Sequence, residues 1–266
     1  MSTIRTDDGL SLHFEYHGAD QGETPLVFLN GMTQTTRHWR SHVRAIKSER
    51  PVLTYDARGQ GQSDDPDEIP TLRQHADDLA AILDELDLSR VDLAGFSHGS
   101  RVALGLAVHH PQRLRRLVLC SATAEPTALA RTIIRSWHAL LRDCGMRALS
   151  WASLTTILGT DFLDANEALL DNIVQASVDR NSLQGTRLLL EGLVGFPDVS
   201  DLAPRVQAPT LVLSADQDPL VEPEGARQLA DLCGGHHHLI EDCGHTIPIE
   251  RPRQFRRHLL DFLADS

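Results

Sequence analysis

The sequence predicts an α/β protein with a mostly parallel eight-stranded sheet, helices on both faces of it, and a helical cap insertion. Three observations predict this. Short apolar runs of strand length alternate with segments of helical spacing along most of the chain. Between residues 125 and 199 the strand-like runs stop and only helical spacing remains. Third, "VDLAGFSHGSRVALGLAVHH" joins an apolar run to a helix that is apolar on nearly every side, through a serine set between glycines.

Taken in order, "TIRTDDGLSLHFEYHG" reads as two alternating strands around an Asp-Asp-Gly turn. "LVFLN" is a buried strand, and a helix is expected from Thr33 to Lys47. "PVLTYD" is the next buried strand, and "ARGQGQSDDPDEIP" is a loop punctuated by glycine and proline. Thr71 and Gln74 form a capping-box signature, beyond which Leu72, Ala76, Leu79, Leu83 and Leu86 line one helical face. "VDLAGF" and "RRLVLCSA" are strands flanking the helix that begins after Ser97.

Helical spacing then appears in Leu129, Ile133, Trp137 and Leu141, again over Leu149–Leu158, and again in "NEALLDNIVQASV". The chain is therefore divided into a core of residues 1–124 and 200–266 and a helical cap of residues 125–199. Trp137 and Trp151 fall on apolar helical faces and are assigned to packing. "APTLVLSADQD" returns to strand texture, "PEGARQLADLC" is a helix, and "HHHLIEDCGH" is the last strand. The final helix carries Phe255, Leu259 and Phe262 on one side.

Composition narrows the function classes. The chain has 266 residues, 41% of them hydrophobic and 23% charged, and a formal net charge of −12. That balance describes an ordinary globule and argues against nucleic acid or an anionic membrane as partner. No apolar run approaches the length of a membrane span, and the start shows no basic region followed by an apolar core. Four cysteines without a C-x-x-C pair are expected as free thiols in the cytoplasm, with Cys233 and Cys243 the two that have scope to approach each other. "GGHHHL" places His236 and His238 on one strand face and His237 on the other, without further ligands for a metal. Neither a G-x-G-x-x-G after the first strand nor a P-loop is present, so no cofactor is expected. Oligomeric state is not legible.

The chemistry centres on Ser97. G-x-S-x-G alone arises readily by chance, but here it lies between a buried strand and a buried helix, as a nucleophile elbow requires. Gly95 and Gly99 remove side chains where strand and helix crowd, and Ser100 is small. A serine hydroxyl needs a base to take its proton and a carboxylate to orient that base. Reactive groups in such sheets lie beyond the carboxyl ends of strands. His245, after "LIEDCG", is the candidate base, and Asp216 and Asp218, after "TLVLSA", are both candidates for the acid. The order Ser, Asp, His suits this elbow, whose oxyanion donors include the backbone N–H of the next residue, His98.

With these residues in place, the chain resembles the α/β-hydrolase fold superfamily over nearly its whole length. Members carry G-x-x-D-P after the penultimate strand. "ADQDPLV" is similar, with Ala215 in place of the glycine, and the resemblance implies Asp218 as the acid. It also implies a second oxyanion donor from the loop after the third strand, the Met32 backbone in "LNGMTQ". Asn30 replaces the histidine usual there and resembles the loop of 3-oxoadipate enol-lactonases. "YDARGQGQSD" matches D-x-R-G-x-G-x-S, which implies a structural role for Asp56 and Arg58 in pinning a loop. The resemblance implies a serine hydrolase that cleaves a small-molecule ester, lactone or thioester through an acyl-enzyme. Cofactor-free haloperoxidases, C–C bond hydrolases and non-enzymatic ligand receptors share the fold, and no residue here selects among them. The cap is expected to enclose a mainly apolar cavity over Ser97, with Arg131, Arg135 and Arg142 as candidate partners for a substrate carboxylate.

Overall fold

The computed structural model describes residues 2–18, 22–195 and 199–264. β1 (Ser2–Arg5) and β2 (Ser11–His17) form the antiparallel hairpin at one edge of the sheet. β3 (Leu26–Leu29), α1 (Arg40–Ile46), β4 (Val52–Tyr55), α2 (Leu72–Glu85), β5 (Val91–Phe96), α3 (His98–His109) and β6 (Leu114–Cys120) follow. After β6 come the helices α4 (Ala128–Ile157), α5 (Thr160–Asn166), α6 (Leu170–Arg180) and α7 (Leu183–Gly195). The sheet is completed by β7 (Thr210–Ala215), α8 (Pro223–Leu232) and β8 (His236–Ile240), and the chain ends in α9 (Ile247–Glu250) and α10 (Pro252–Ala264).

The eight strands run in the order β1-β2-β4-β3-β5-β6-β7-β8. β2 pairs antiparallel with β4, and every pairing from β4 through β3 to β8 is parallel. From β3 the chain moves outward to β4, then returns to place β5 on the other side of β3. That reversal opens a crevice at the carboxyl ends of β3 and β5, where ligands bind in sheets of this kind.

Two apolar layers follow from the alternation of side chains along the strands. Leu79 and Leu83 of α2, Leu104 of α3 and Leu229 of α8 pack with Val27, Leu93 and Leu117 on one face. Ile46 of α1 and Phe255 and Leu259 of α10 pack with Phe28, Val118 and Leu213 on the other. Trp39 stacks on Phe28 at 4.4 Å between ring centroids. α2 begins with a complete capping box, in which the Gln74 backbone N–H donates to Thr71 Oγ1 at 3.1 Å and the Thr71 N–H to Gln74 Oε1 at 2.9 Å.

Several details depart from the sequence expectation. The first helical turn after β3 starts at Thr36, because Thr33 has φ 61° and the Gln34 side chain accepts from Gly31 N at 3.2 Å, holding a loop. In α4, Trp137 and Leu141 are buried and Ile133 packs against the core, but Leu129 is 53% exposed. Successive spacings of four overrun the 3.6-residue repeat, so the inward row starts at Ala130, seven residues before Trp137. Gly145, at φ 80°, breaks the helical path. Beyond it Leu149, Ser150 and Leu154 point inward, leaving Trp151 exposed beside them instead of packed. In α10 the fully buried row is Phe255, Leu259 and Leu263, while Phe262 is half-buried beneath the Arg116 guanidinium. All four cysteines are free thiols, and Cys233 and Cys243 lie in different apolar layers. Among the described residues no helix is long and apolar enough to cross a membrane.

His75 of α2 and His98 of α3 are buried edge-to-face, 5.1 Å between ring centroids. Burial first, and then repulsion from His98 when protonated and from Arg58, hold the His75 imidazole well below its usual range. Burial also pushes His98 and His42 down to about 4. These rings are neutral when folded, whereas in the unfolded chain they take up protons near pH 6.5. The unfolded state then binds more protons, and stability must fall as pH drops through and below that value. The thermal midpoint should therefore decline steeply from pH 7 to 5, and less steeply in His75→Leu, as read by circular dichroism.

Candidate active site

Ser97 joins β5 to α3 with φ 52° and ψ −113°, the mirror-image turn conformation that glycine normally takes. For a serine that geometry costs roughly 1–3 kcal/mol, so the surrounding packing must enforce it. A Cβ on Gly95 would lie 2.5 Å from the Gly99 carbonyl oxygen, and one on Gly99 would collide with the Leu29 carbonyl. The glycines thus let the start of α3 sit against β3 and β5. Ser100 Oγ donates to the carbonyls of Gly95 (2.8 Å) and Cys120 (3.0 Å), closing the turn. The Ser97 N–H donates to the Cys120 carbonyl at 2.8 Å.

His245 and Asp218 reach this serine from the ends of β8 and β7. Ser97 Oγ lies 2.9 Å from His245 Nε2, and His245 Nδ1 lies 2.6 Å from Asp218 Oδ2. A carboxylate only accepts, so Nδ1 carries the proton and Nε2 is left to accept from the serine hydroxyl. Asp218 is 4% exposed, and its other oxygen accepts from the N–H groups of Leu220 (2.8 Å) and Val221 (3.1 Å). Those bonds fix the carboxylate while one oxygen faces the imidazole. Asp216 is exposed and accepts from Cys243 N at 3.1 Å, away from the histidine. Ser121, after β6, donates to the His245 carbonyl at 2.7 Å and anchors the loop from below.

Met32 lines the space above Ser97, on the loop after β3, and His98 is the first residue of α3. N–H groups in a helix's first turn point away from the helix body, toward whatever sits at its N-terminus. The His98 ring turns away from chemistry, into the core beside His75. Asn30 is structural: its amide donates to the Tyr55 carbonyl at 2.8 Å and its oxygen accepts from Trp39 Nε1 at 2.7 Å. Asp56 accepts from Thr36 N (2.7 Å) and Gln62 N (3.0 Å), and Arg58 grips Asp78 through two bonds of 2.7 and 2.5 Å. Asp56 thus ties the loops after β3 and β4 together, and Arg58 ties the second of them to α2. On β8, His237 pairs with Ser214 Oγ at 2.8 Å and the His238 ring lies tilted against His258, 3.8 Å between centroids.

The helices after β6 roof a cavity of about 560 Å3 over Ser97. Its walls include Phe96, Ile134, Trp137, Leu154 and Ile157. The roof is fastened to the loops beneath: Asn181 Nδ2 donates to the Thr33 carbonyl at 3.0 Å, and Ser182 Oγ donates to Asp65 at 2.6 Å. The tightest fastening, which the sequence reading missed, is Glu250. Its buried carboxylate accepts from Gly159 N (2.9 Å), Gly244 N (3.0 Å), Thr246 N (3.1 Å) and Thr246 Oγ1 (2.7 Å). One side chain therefore joins the end of α4 to both residues flanking His245. The only sequence signal is an acid five residues after His245 in "GHTIPIE".

Comparison with known proteins bears on the family and the fold. A family model described as the alpha/beta hydrolase fold matches residues 24–252. A Pseudomonas savastanoi pv. phaseolicola protein named "Putative carbamate hydrolase RutD" is 30% identical, covering 94% of this chain and 97% of its own. The enol-lactonase from Burkholderia xenovorans LB400 superposes with a TM-score of 0.90 at 26% identity, covering 99% of this chain and 100% of that one. A thermophilic esterase from Thermogutta terrifontis superposes with a TM-score of 0.86, also at 26% identity, over 98% of this chain and 96% of its own.

Removing the Glu250 carboxylate strands buried N–H donors at Gly159 and Gly244. Glu250→Ala should lower unfolding free energy by about 2–4 kcal/mol, and Glu250→Gln by less, since one acceptor oxygen remains. Urea denaturation measures both. A loss below about 1 kcal/mol in the alanine variant would mean that water satisfies those donors.

Proposed function

The chain belongs to the α/β-hydrolase fold family, and from that premise we propose that it is a serine hydrolase of small-molecule acyl compounds. Ser97 Oγ attacks an acyl carbonyl while His245 Nε2 takes its proton, and Asp218 holds the imidazole and stabilises it once charged. The N–H groups of Met32 and His98 receive the oxyanion. His245 then returns the proton to the leaving group, and water, activated by the same imidazole, releases the acid from Ser97. The observation that carries this reading is the hydrogen-bonded run Ser97–His245–Asp218, at 2.9 and 2.6 Å, beneath a roofed cavity.

A carboxylic ester, lactone or thioester is the substrate class proposed. The names of the relatives, a lactonase, an esterase and a carbamate hydrolase, all describe scission at an acyl carbonyl. Residues 125–199 act as the cap that sets substrate choice over a core of residues 1–124 and 200–266. Nothing in the chemistry of Ser97, His245 and Asp218 calls for a cofactor, and a cytoplasmic site of action accords with four free cysteines.

A fluorophosphonate probe should label Ser97 alone, with mass mapping to any other serine sinking the assignment. Ser97→Ala should lower kcat/KM for an activated ester by about a thousandfold or more. Asp218→Asn should keep the fold and cut kcat by roughly three to four orders of magnitude, through the wrong imidazole tautomer. Asp216→Asn should change turnover by less than about threefold. Reversal of the last two results would exchange the roles of the two aspartates.

A further inference from the structure

The charge lining the cavity has the opposite sign to the charge of the protein. The chain carries 37 acidic and 25 basic residues, yet among the described residues the cavity wall holds Arg101, Arg131, Arg135 and Arg180 and not one aspartate or glutamate. Asp218 stands behind His245 and does not line the space. Chance placement in an acidic protein favours the reverse. A cleft lined by one sign of charge between low-dielectric walls focuses its field and concentrates ligands of the other sign.

The arginines approach from three elements. Arg131 and Arg135 are four residues apart on α4, one helical turn, so their side chains leave the same face about 5–6 Å apart. Arg101 is one turn into α3, four residues beyond Ser97. Arg180 ends α6, and Asn181 next to it binds the Thr33 carbonyl on the loop that carries Met32. Arg180 lines the same cavity as His38, whose imidazole burial, with the Arg180 charge adding to it, pushes down to about 4. Neither Arg135 nor Arg180 forms an ion pair among the described residues, although both line the cavity and Arg180 is half-buried. By contrast Arg187, on the neighbouring α7, is paired with Glu191 at 2.7 Å.

We infer that the substrate carries a carboxylate in addition to the acyl group that Ser97 attacks, and that Arg180 and Arg135 bind it. The guanidinium is planar, permanently charged and suited to two parallel bonds with a carboxylate. The apolar wall around Ile134, Trp137 and Leu154 then takes the hydrocarbon between the two ends. This rests on the serine-hydrolase reading above and specifies its substrate.

The test compares kcat/KM for matched neutral and anionic esters with the full-length protein. On the acyl side, p-nitrophenyl hydrogen adipate is set against methyl p-nitrophenyl adipate. On the leaving-group side, 4-carboxyphenyl hexanoate is set against its methyl ester. A preference for the anionic member of either pair by about tenfold or more is expected, and the favoured pair says which end bears the carboxylate. The ratio should collapse toward one in Arg180→Met and Arg135→Met, and in wild type at about 1 M salt, where the screening length is only about 3 Å. The salt arm keeps the test decisive if a variant fails to fold. Turnover of the neutral esters with no anionic preference in either pair overturns this inference alone. No turnover of any ester, with no fluorophosphonate labelling at Ser97, overturns the serine-hydrolase reading and this inference with it.

Discussion

The backbone approach between α3 and the strands beneath it is the constraint on which the rest of the site depends. The first turn of α3 lies so close to β3 and β5 that positions 95 and 99 have no room for even a methyl group. With both glycines in place, the chain reverses within one residue and Ser97 takes a backbone conformation that an L-residue otherwise avoids. Its hydroxyl is thereby lifted clear of the sheet while the N-terminal turn of the helix stays beneath it. Loops from β3, β6, β7 and β8 then need only to reach one point, and the reversal in strand order at β3 leaves space for them.

The roof is a second constraint, and it is coupled to the first. Helices with partly apolar faces have to bury them, and the carboxyl ends of the strands are the surface on offer. Polar contacts determine how they settle there. Glu250 ties the end of α4 to the residues on both sides of His245, and Ser121 holds the His245 carbonyl from below. Displacement of the roof would therefore disturb the imidazole as well as the cavity. Four arginines from three helices line that space, in a protein whose net charge is −12.

Most strands were legible because buried parallel strands are short, continuous apolar runs bounded by turn residues, as in "LVFL" and "TLVLSA". The elbow was legible because steric crowding demands glycine at two fixed places. Cap helices were harder to read. A row spaced by fours nominated Leu129, whereas the 3.6-residue repeat carried the inward face to Ala130. Trp151 falls on an apolar helical face in the sequence, yet the break at Gly145 resets which side of α4 faces inward. Glu250 carries no pattern of its own, because an acid in a short helix ordinarily faces water. Its role exists only once Gly159, 91 positions earlier, folds against it.

By itself the sequence determined the layered sheet, the elbow at Ser97 and the roster of groups able to work with it, since these follow from local patterns of apolarity, small residues and strand ends. Tertiary structure decided between Asp216 and Asp218 as the partner of His245, because both follow the same strand and only the twist of the loop after β7 turns one of them inward. It also decided that Asn30 braces the loop after β3, and that arginines separated by up to 79 positions share one cavity. The physical reason is range. Patterning records what each residue's own element requires, whereas the direction of a polar side chain is settled by donors and acceptors brought to it from distant parts of the chain.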